Sequence, residues 1–566
     1  MSWIFGFYGF SENLKIHSPQ PPLHTFENSN LKIYCGGNKQ TIFYNNDVSN
    51  QTCWIVAGVG LIRCKNNFKI LSPNDWNNFL SQGEVNISSV NGHYVAVKFT
   101  NNKIKIFTDE LGLRDLHIVK LPAGWGFTTR IDWLKYFINP EIDLKEFGSR
   151  WLLQNQISQN SIIKNATRIV SAYVTINNDD LKLEKKYWKP DLEGKTGKAE
   201  FEEILNGFLS VENKKINLSL SGGLDSRLLL SLLTNINFGN WETHTFGDPN
   251  HPDSKIACDL MKSVGLENNI INDVITSSSK TEDLLNNYAV RSIVTNPASS
   301  ILNLRFYNRI ADEHKIIIDG GFGEIWRREF ANRLLYLGKK ALQDRNVERI
   351  FELLKHQKAN FFYDEALNEM KTGALNQISN FIQESEDVRK VGIGEWIDLF
   401  SIKTRLPNYY APEQSRVDDF VTSFMPFVQK DLLKVLFNLK DSDKKNGNLF
   451  KEIIKKNSSQ LTRIQLVKGN VTHPFNSSSL NARLNAIIKH RLGKYYKSNL
   501  SAELFYSAKD FILDLLHSSC VRSCEFYERK KIERMVKGFN DNDEGMIKEL
   551  DWFLSFELFR DGIINK

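Results

Sequence analysis

Leu220-Ser221-Gly222-Gly223-Leu224-Asp225-Ser226-Arg227 is the stretch on which the reading of this chain turns. It follows a short apolar run, residues 216–220, and leads into residues 226–233, whose apolar spacing predicts a helix. Glycines at such a strand-to-helix turn let backbone amides face an anion, and a helix N-terminus adds partial positive charge. Ser221 and Ser226 offer hydroxyl hydrogen bonds to a phosphate, and Asp225 is a candidate magnesium ligand. The stretch is not a Walker A loop, because no Gly-Lys-Ser/Thr ending is present. A plain glycine turn with an incidental aspartate is the alternative. The complete run from Ser221 to Arg227 in strand–turn–helix context argues against it.

Outward from that loop the pattern continues. Residues 241–246 predict a second strand, 254–264 a helix, and 315–318 a third strand that runs into Gly320-Gly321-Phe322-Gly323. Strands alternating with helices predict a parallel α/β sheet. From about residue 330 onward the chain reads as mostly helical. Before the loop the reading changes. Short alternating runs at 3–10, 31–34, 41–44, 54–62, 94–99 and 103–108 predict strands, with helices at 73–80 and 144–154. Strand character returns over 162–190. A polar linker from Asp191 then leads to an amphipathic helix carrying Phe201, Ile204, Leu205 and Phe208. Two units are expected, 1–190 and 191–566.

These residues resemble the pyrophosphate loop of the N-type ATP pyrophosphatases, and the chain as a whole resembles the asparagine-synthetase family. Met1-Ser2-Trp3-Ile4-Phe5-Gly6 is similar to the family's opening Met-Cys-Gly-Ile-Phe-Gly. Thr108-Asp109-Glu110-Leu111-Gly112-Leu113-Arg114-Asp115-Leu116 resembles its Arg-Asp-x-Leu-Gly segment, and Tyr187-Trp188-Lys189-Pro190 its inter-domain Tyr-Trp. Thr245-Phe246-Gly247 with Asp253 and Ala257, Met425-Pro426-Phe427, and Val467-Lys468-Gly469 resemble further segments of the synthetase domain. The resemblance implies an α/β fold. An Ntn-like, class II glutamine-amidotransferase-like domain over 1–190 would precede a parallel-sheet ATP pyrophosphatase domain with a helical C-terminal region over 191–566. It also implies ATP and Mg2+ as cofactors. Ser221, Gly222, Gly223, Asp225, Ser226 and Asp319 would hold the phosphates and metal. Leu218, Phe246 and Gly247 would border the nucleotide base, and Lys468 would steady the transition state.

Two departures narrow this. Ser2 stands where the family has its glutamine-hydrolysing cysteine, and only Val59-Gly60-Leu61-Ile62 stands for the family's Arg-Leu-Ser-Ile run. A structural remnant of a glutaminase is expected, as in the β-lactam synthetases and lasso-peptide cyclases. In the second departure, Asp319-Gly320-Gly321-Phe322-Gly323-Glu324 replaces Ser-Gly-Glu-Gly-Ser/Ala-Asp-Glu. Gly320 takes the acid/base position and Gly323 a magnesium-binding aspartate. Asp225, Asp319 and Glu324 are the candidate metal ligands that remain. Tyr409, Tyr410 and Glu413 are read as helix packing or as a border of the site. Arg327-Arg328 reads as a solvated face or ion-pair partner, with phosphate or carboxylate binding as the alternative. His251, His314 and His473 have no metal-ligand spacing and read as structural.

Three functions compete. Intramolecular amide closure of a precursor peptide, in company with leader-processing proteins, is the leading one. Amidation of a small or sugar acid with free ammonia, and a non-catalytic nucleotide-binding scaffold, are the others. The remaining features bound the class. The chain has 566 residues, 41% hydrophobic and 25% charged, which is globular composition. Six scattered cysteines without zinc spacing suggest a reducing cytoplasm. A net charge of +7 without a basic stripe predicts no nucleic-acid partner. No apolar run spans a bilayer, and the N-terminus reads as a first strand rather than a signal peptide, so no membrane partner is expected.

Overall fold

The computed structural model describes residues 2–9, 17–45, 53–81, 87–100, 103–177, 180–186, 188–190, 197–236, 238–272, 278–497, 500–541 and 543–564. Met1, Phe10, Tyr187 and the first part of the expected linker, 191–196, lie outside the described residues.

The first part of the chain builds two antiparallel sheets, one of six strands and one of seven. Trp3–Tyr8 pairs with Gly124–Thr128 on one side and Leu31–Gly36 on the other. Alternation along this strand sends Ile4 and Tyr8 into a core shared with the second sheet. Trp3, Phe5 and Phe7 point the other way, into a core shared with the rest of the chain. The second sheet centres on Cys53–Cys64 paired with Asn91–Thr100, and Ile55, Val97 and Ile106 close the sandwich. The Pro73–Leu80 helix covers its outer face through Trp76 and Leu80. That helix starts where expected because Ser72 and Asp75 form a reciprocal capping box.

Five parallel strands form the second layer system, in the order Asn269–Ile271, Trp241–Phe246, Lys215–Ser219, Lys315–Ile318, Ser423–Phe424. The expected strands at 241–246 and 315–318 are present with those bounds. Leu218, Ile316 and Ile318 are fully buried, as a sheet covered on both faces requires. The chain leaves Lys215–Ser219 toward one edge and then returns to the other. This reversal makes a switch point, and a switch point leaves a crevice beyond the carboxyl ends of the two central strands. The loops 220–223 and 319–322 both emerge there.

Beyond residue 330 the chain is mostly helical, as expected, but not at Lys468. Leu466–Lys468 and Val471–His473 form a two-stranded antiparallel hairpin. The last helix, Glu544–Ile564, folds back on the first part, where Phe556 lies 5.3 Å from Phe147 and 5.9 Å from Trp151 between ring centres.

Candidate functional site

The helix Leu224–Leu233 begins at Gly223, whose extended backbone carries no side chain to cap the first turn. Its first-turn amides therefore face the crevice without a side-chain acceptor. The loop braces itself by short hydroxyl contacts. Ser221 N–H donates to Ser226 Oγ at 3.2 Å, the two hydroxyls lie 3.0 Å apart, and Gly223 N–H donates to Ser221 Oγ at 3.2 Å. Gly222 N–H donates to Asp253 Oδ1 at 2.8 Å, so the loop already holds one anionic oxygen. A side chain at Gly222 would run into Val467 and Asp253. Arg227, the last residue of the run, is fully buried. Its guanidinium donates to the carbonyls of Leu461 (3.0 Å), Ile464 (2.7 Å) and Gln465 (2.6 Å). It thereby fixes the segment that leads into the Lys468 hairpin, and burial pulls its pKa down to about 9.

Lys468 and Asp225 line one cavity of about 130 Å³, together with Gly223, Arg327, Glu329 and Lys451. A chain of charge crosses it. Arg327 donates to both oxygens of Asp225 (Nε 2.7 Å, Nη2 2.9 Å) and reaches Glu329 at 2.8 Å, and Lys468 meets Glu329 at 2.9 Å. Ser479 Oγ donates to the same carboxylate at 2.8 Å. Burial opposes ionisation of Glu329, but Arg327, Lys468 and Ser479 outweigh it and hold its carboxyl down at about 2. Burial pushes the Asp225 carboxyl upward, with Arg327 opposing. Arg327 is thus an ion-pair partner, as one sequence reading had it, but inside the cavity and not on a solvated face. Its neighbour Arg328 turns away to Asp398 (3.0 Å) and Asp441 (2.8 Å).

The three candidate metal ligands do not converge. Asp225 is taken by Arg327. Glu324 accepts from Arg405 Nε at 2.9 Å and Tyr410 Oη at 2.7 Å. Asp319 accepts from Gly321 N–H at 2.6 Å. Gly323 packs so tightly on the Asp225 carboxylate that an aspartate there would collide with it. Among the described residues no group of three or more His, Cys, Asp or Glu is placed to hold a metal. The residues present do not fit a magnesium ion held by Asp225, Asp319 and Glu324 together; guanidinium groups sit against two of the three.

The base-side candidates divide. Leu218 is entirely buried in the sheet, so its side chain is not presented to a ligand. Phe246 is half-buried and packs on Phe306 (5.3 Å) and Tyr307 (5.0 Å). Gly247 follows with φ +108, and nothing lies within 4 Å of where its side chain would be. Tyr409 and Tyr410 do border the site. Arg405 stacks 4.3 Å from the Tyr409 ring, and Tyr410 holds Glu324. Glu413 is engaged by Arg416 and Asn296. His473 lines the cavity, His251 accepts from Asp253 N–H at 3.1 Å, and His314 is exposed.

A second cavity, of about 330 Å³, adjoins the first, and Glu329 lines both. Lys358 lines it with Glu324, Arg405 and Tyr409. Its amine donates to the carbonyls of Arg150 and Leu153. Burial, with the Arg150 and Arg405 cations nearby, lowers its pKa to about 7. Nothing in the sequence around Lys358 marked it, because its partners come from residues about two hundred positions away.

Ser2 is fully buried, and Arg114 donates to both its carbonyl and its hydroxyl, the latter at 3.0 Å. Arg114 also pairs with Asp418, which lies in the other half of the chain, and His93 Nε2 lies 3.0 Å from the same carboxylate. Side chains therefore fill the ground around Ser2.

No family model matches this chain, and no curated protein matches it. Among solved structures it is similar to the glutamine phosphoribosylpyrophosphate amidotransferase of B. subtilis complexed with ADP and GMP, at 10% identity and a TM-score of 0.18. That match covers 34% of this chain and 47% of the other, so the chain spans about half of that relative. It is also similar to the allosteric regulatory enzyme of purine biosynthesis, at 11% identity over 67% of this chain and 85% of that one, with a TM-score of 0.19. Likeness at that level carries no argument about fold or activity. The mixed α/β architecture rests on the two antiparallel sheets, the parallel sheet and the helices described above.

Proposed function

We propose that this chain is an ATP-dependent, AMP-forming carbon–nitrogen ligase that joins a carboxylate to an amine without hydrolysing glutamine. The observation that carries the reading is the Ser221–Asp225 loop. It opens an uncapped helix N-terminus at the switch point, onto a cavity that also receives Lys468, Lys451 and Arg327. Backbone amides and three cations converging on one crevice suit a polyphosphate. ATP, when bound, supplies a leaving group by converting the carboxylate to its adenylate. In this reading the loop amides hold the departing pyrophosphate, and Lys468 offsets the charge that develops. Arg327 already neutralises Asp225, so that carboxylate does not repel a polyphosphate in the crevice. Mg2+ bound with the nucleotide remains part of the proposal, but no step is assigned to it.

Burial of Ser2 under Arg114 supports an amine that comes from the substrate or from solution rather than from glutamine. A peptide that closes on itself, of the lasso-cyclase kind, is the substrate favoured. The 330 Å³ cavity next to the phosphate site gives room for a side-chain-sized acyl group. A small or sugar acid with free ammonia is the second substrate class. One observation favours the scaffold reading instead: Asp253 already occupies the Gly222 amide. Calorimetric titration with ATP tests the nucleotide site that the ligase reading requires, and AMP release on turnover separates a ligase from a scaffold that only binds the nucleotide. Binding that falls about tenfold or more in Lys468→Met supports the ligase reading. A wild-type protein that does not bind ATP overturns it.

A further inference from the structure

We propose that the helix Ser479–Arg491 is a membrane-contact element that lies flat on a bilayer rich in anionic headgroups. Leu480 (66% exposed), Leu484 (48%), Ile487 (43%), Ile488 (56%) and Leu492 (62%) are uncovered. They are five of the twelve large apolar side chains exposed among the described residues, gathered in one short stretch. Spacings of three and four put them on a single face of the helix.

The opposite side is what fastens the helix to the protein. Ala482 is buried there. Asn485 Nδ2 and Lys489 Nζ both donate to the Thr472 carbonyl, at 3.1 and 2.8 Å, and His490 Nε2 lies 2.8 Å from the Gly469 carbonyl. The apolar face is thus turned outward by a polar seat on the hairpin and is not a core surface that lost its cover. Charge matches the same partner. Residues 483–497 hold five lysines and arginines and no aspartate or glutamate. Arg483, Arg491, Lys494 and Lys497 of that run are exposed around the apolar face.

A lipid surface fits better than a partner protein. Protein hot spots are aromatic and arginine side chains set in pockets, with leucine under-represented. Here the large apolar side chains of the face are leucine and isoleucine, with Asn481 and Arg491 exposed between them, and exposed positions spread over more than half of the helix circumference. That is a ridge, which a plane accommodates. An interfacial helix needs aliphatic side chains at the headgroup boundary and cations beside them, and it needs no membrane-spanning segment. No described helix is long and apolar enough to cross a membrane. The expectation of no membrane partner rested on the lack of a spanning run and of a signal peptide, and an interfacial helix needs neither.

The test is co-sedimentation of the full chain with phosphatidylcholine vesicles, with and without phosphatidylglycerol. Pelleting is expected with the phosphatidylglycerol vesicles, weaker at high salt, and weak on phosphatidylcholine alone. Leu484→Ser with Ile488→Ser should reduce it roughly tenfold or more without moving the thermal midpoint, since both side chains are exposed. No pelleting on phosphatidylglycerol vesicles, or undiminished pelleting of the double variant, overturns the proposal. A self-association in lipid-free buffer that the double variant abolishes, seen by sedimentation velocity, also overturns it and assigns the face to a second copy.

Discussion

Replacing Glu329 by glutamine tests the charge chain across the cavity. The carboxylate lies between Arg327 at 2.8 Å and Lys468 at 2.9 Å and accepts from Ser479 at 2.8 Å. Its pKa drops from an ordinary 4.5 to about 2. That gap corresponds to about 3 kcal/mol of stability. Because the folded-state value is depressed, this stability is fully present above pH 4.5 and drains away as the pH falls toward 2. Glu329→Gln lacks it at every pH. The difference between wild type and variant should therefore be about 3 kcal/mol at neutral pH, or on the order of 5 °C in midpoint. It should narrow steadily once the pH drops below 4.5. Thermal unfolding followed by tryptophan fluorescence across that range measures it. A difference that stays constant with pH, or that widens on acidification, would refute the pairing.

Gly323→Asp restores the residue type that the resemblance leads one to expect, yet it should weaken ATP binding more than tenfold and destabilise by about 1–3 kcal/mol, because the new side chain meets Asp225. Titration of a variant that binds ATP normally would show that the loop geometry is wrong. Asp418→Asn leaves Arg114 buried without its carboxylate and should cost roughly 3–5 kcal/mol in urea unfolding, and a cost under about 1 kcal/mol would remove the cluster as a link between the halves. Lys358 should react with an amine-directed reagent half-maximally near pH 7, far below ordinary lysines. With its folded pKa lowered, the unfolded chain holds a proton there that the folded chain has lost, so this group's contribution rises with pH from about 7 to 10.5. Lys358→Met should flatten that rise, and half-maximal labelling near 10.5 would dismiss the idea.

Local signals were legible where they are self-contained. Lys315–Ile318 is a short apolar run, Trp241–Phe246 is rich in aromatic and threonine residues that favour a strand, and Pro73–Leu80 carries its own cap, so each could be read with its bounds. Gly124–Thr128 was not among the expected strands, since two of its five residues are glycines, and at Gly126 the Phe137 ring fills the place a side chain would take. Ser423–Phe424 is two residues long and exists only by pairing with Lys315–Ile318. In the site, Asp225 and Lys468 were named from short motifs, and the structure brings them to one cavity. Arg327 was seen and undervalued, since two adjacent arginines carry no sign of which one enters the cavity. Glu329, Lys358 and the Arg114–Asp418 cluster depend on partners from distant segments, and no local pattern encodes those. The expected metal triad failed for the same reason: Asp319 and Glu324, close in sequence, and Asp225, far upstream, are each claimed by a different donor in space.

The most direct measurement is the fate of ATP labelled at the α-phosphate, incubated with the protein, a cell extract and candidate acids or peptides. Labelled AMP that depends on an added acid or peptide and vanishes in Lys468→Met is the expected result. Labelled ADP in place of AMP would contradict the account, because it would mean attack at the γ-phosphate and no adenylate.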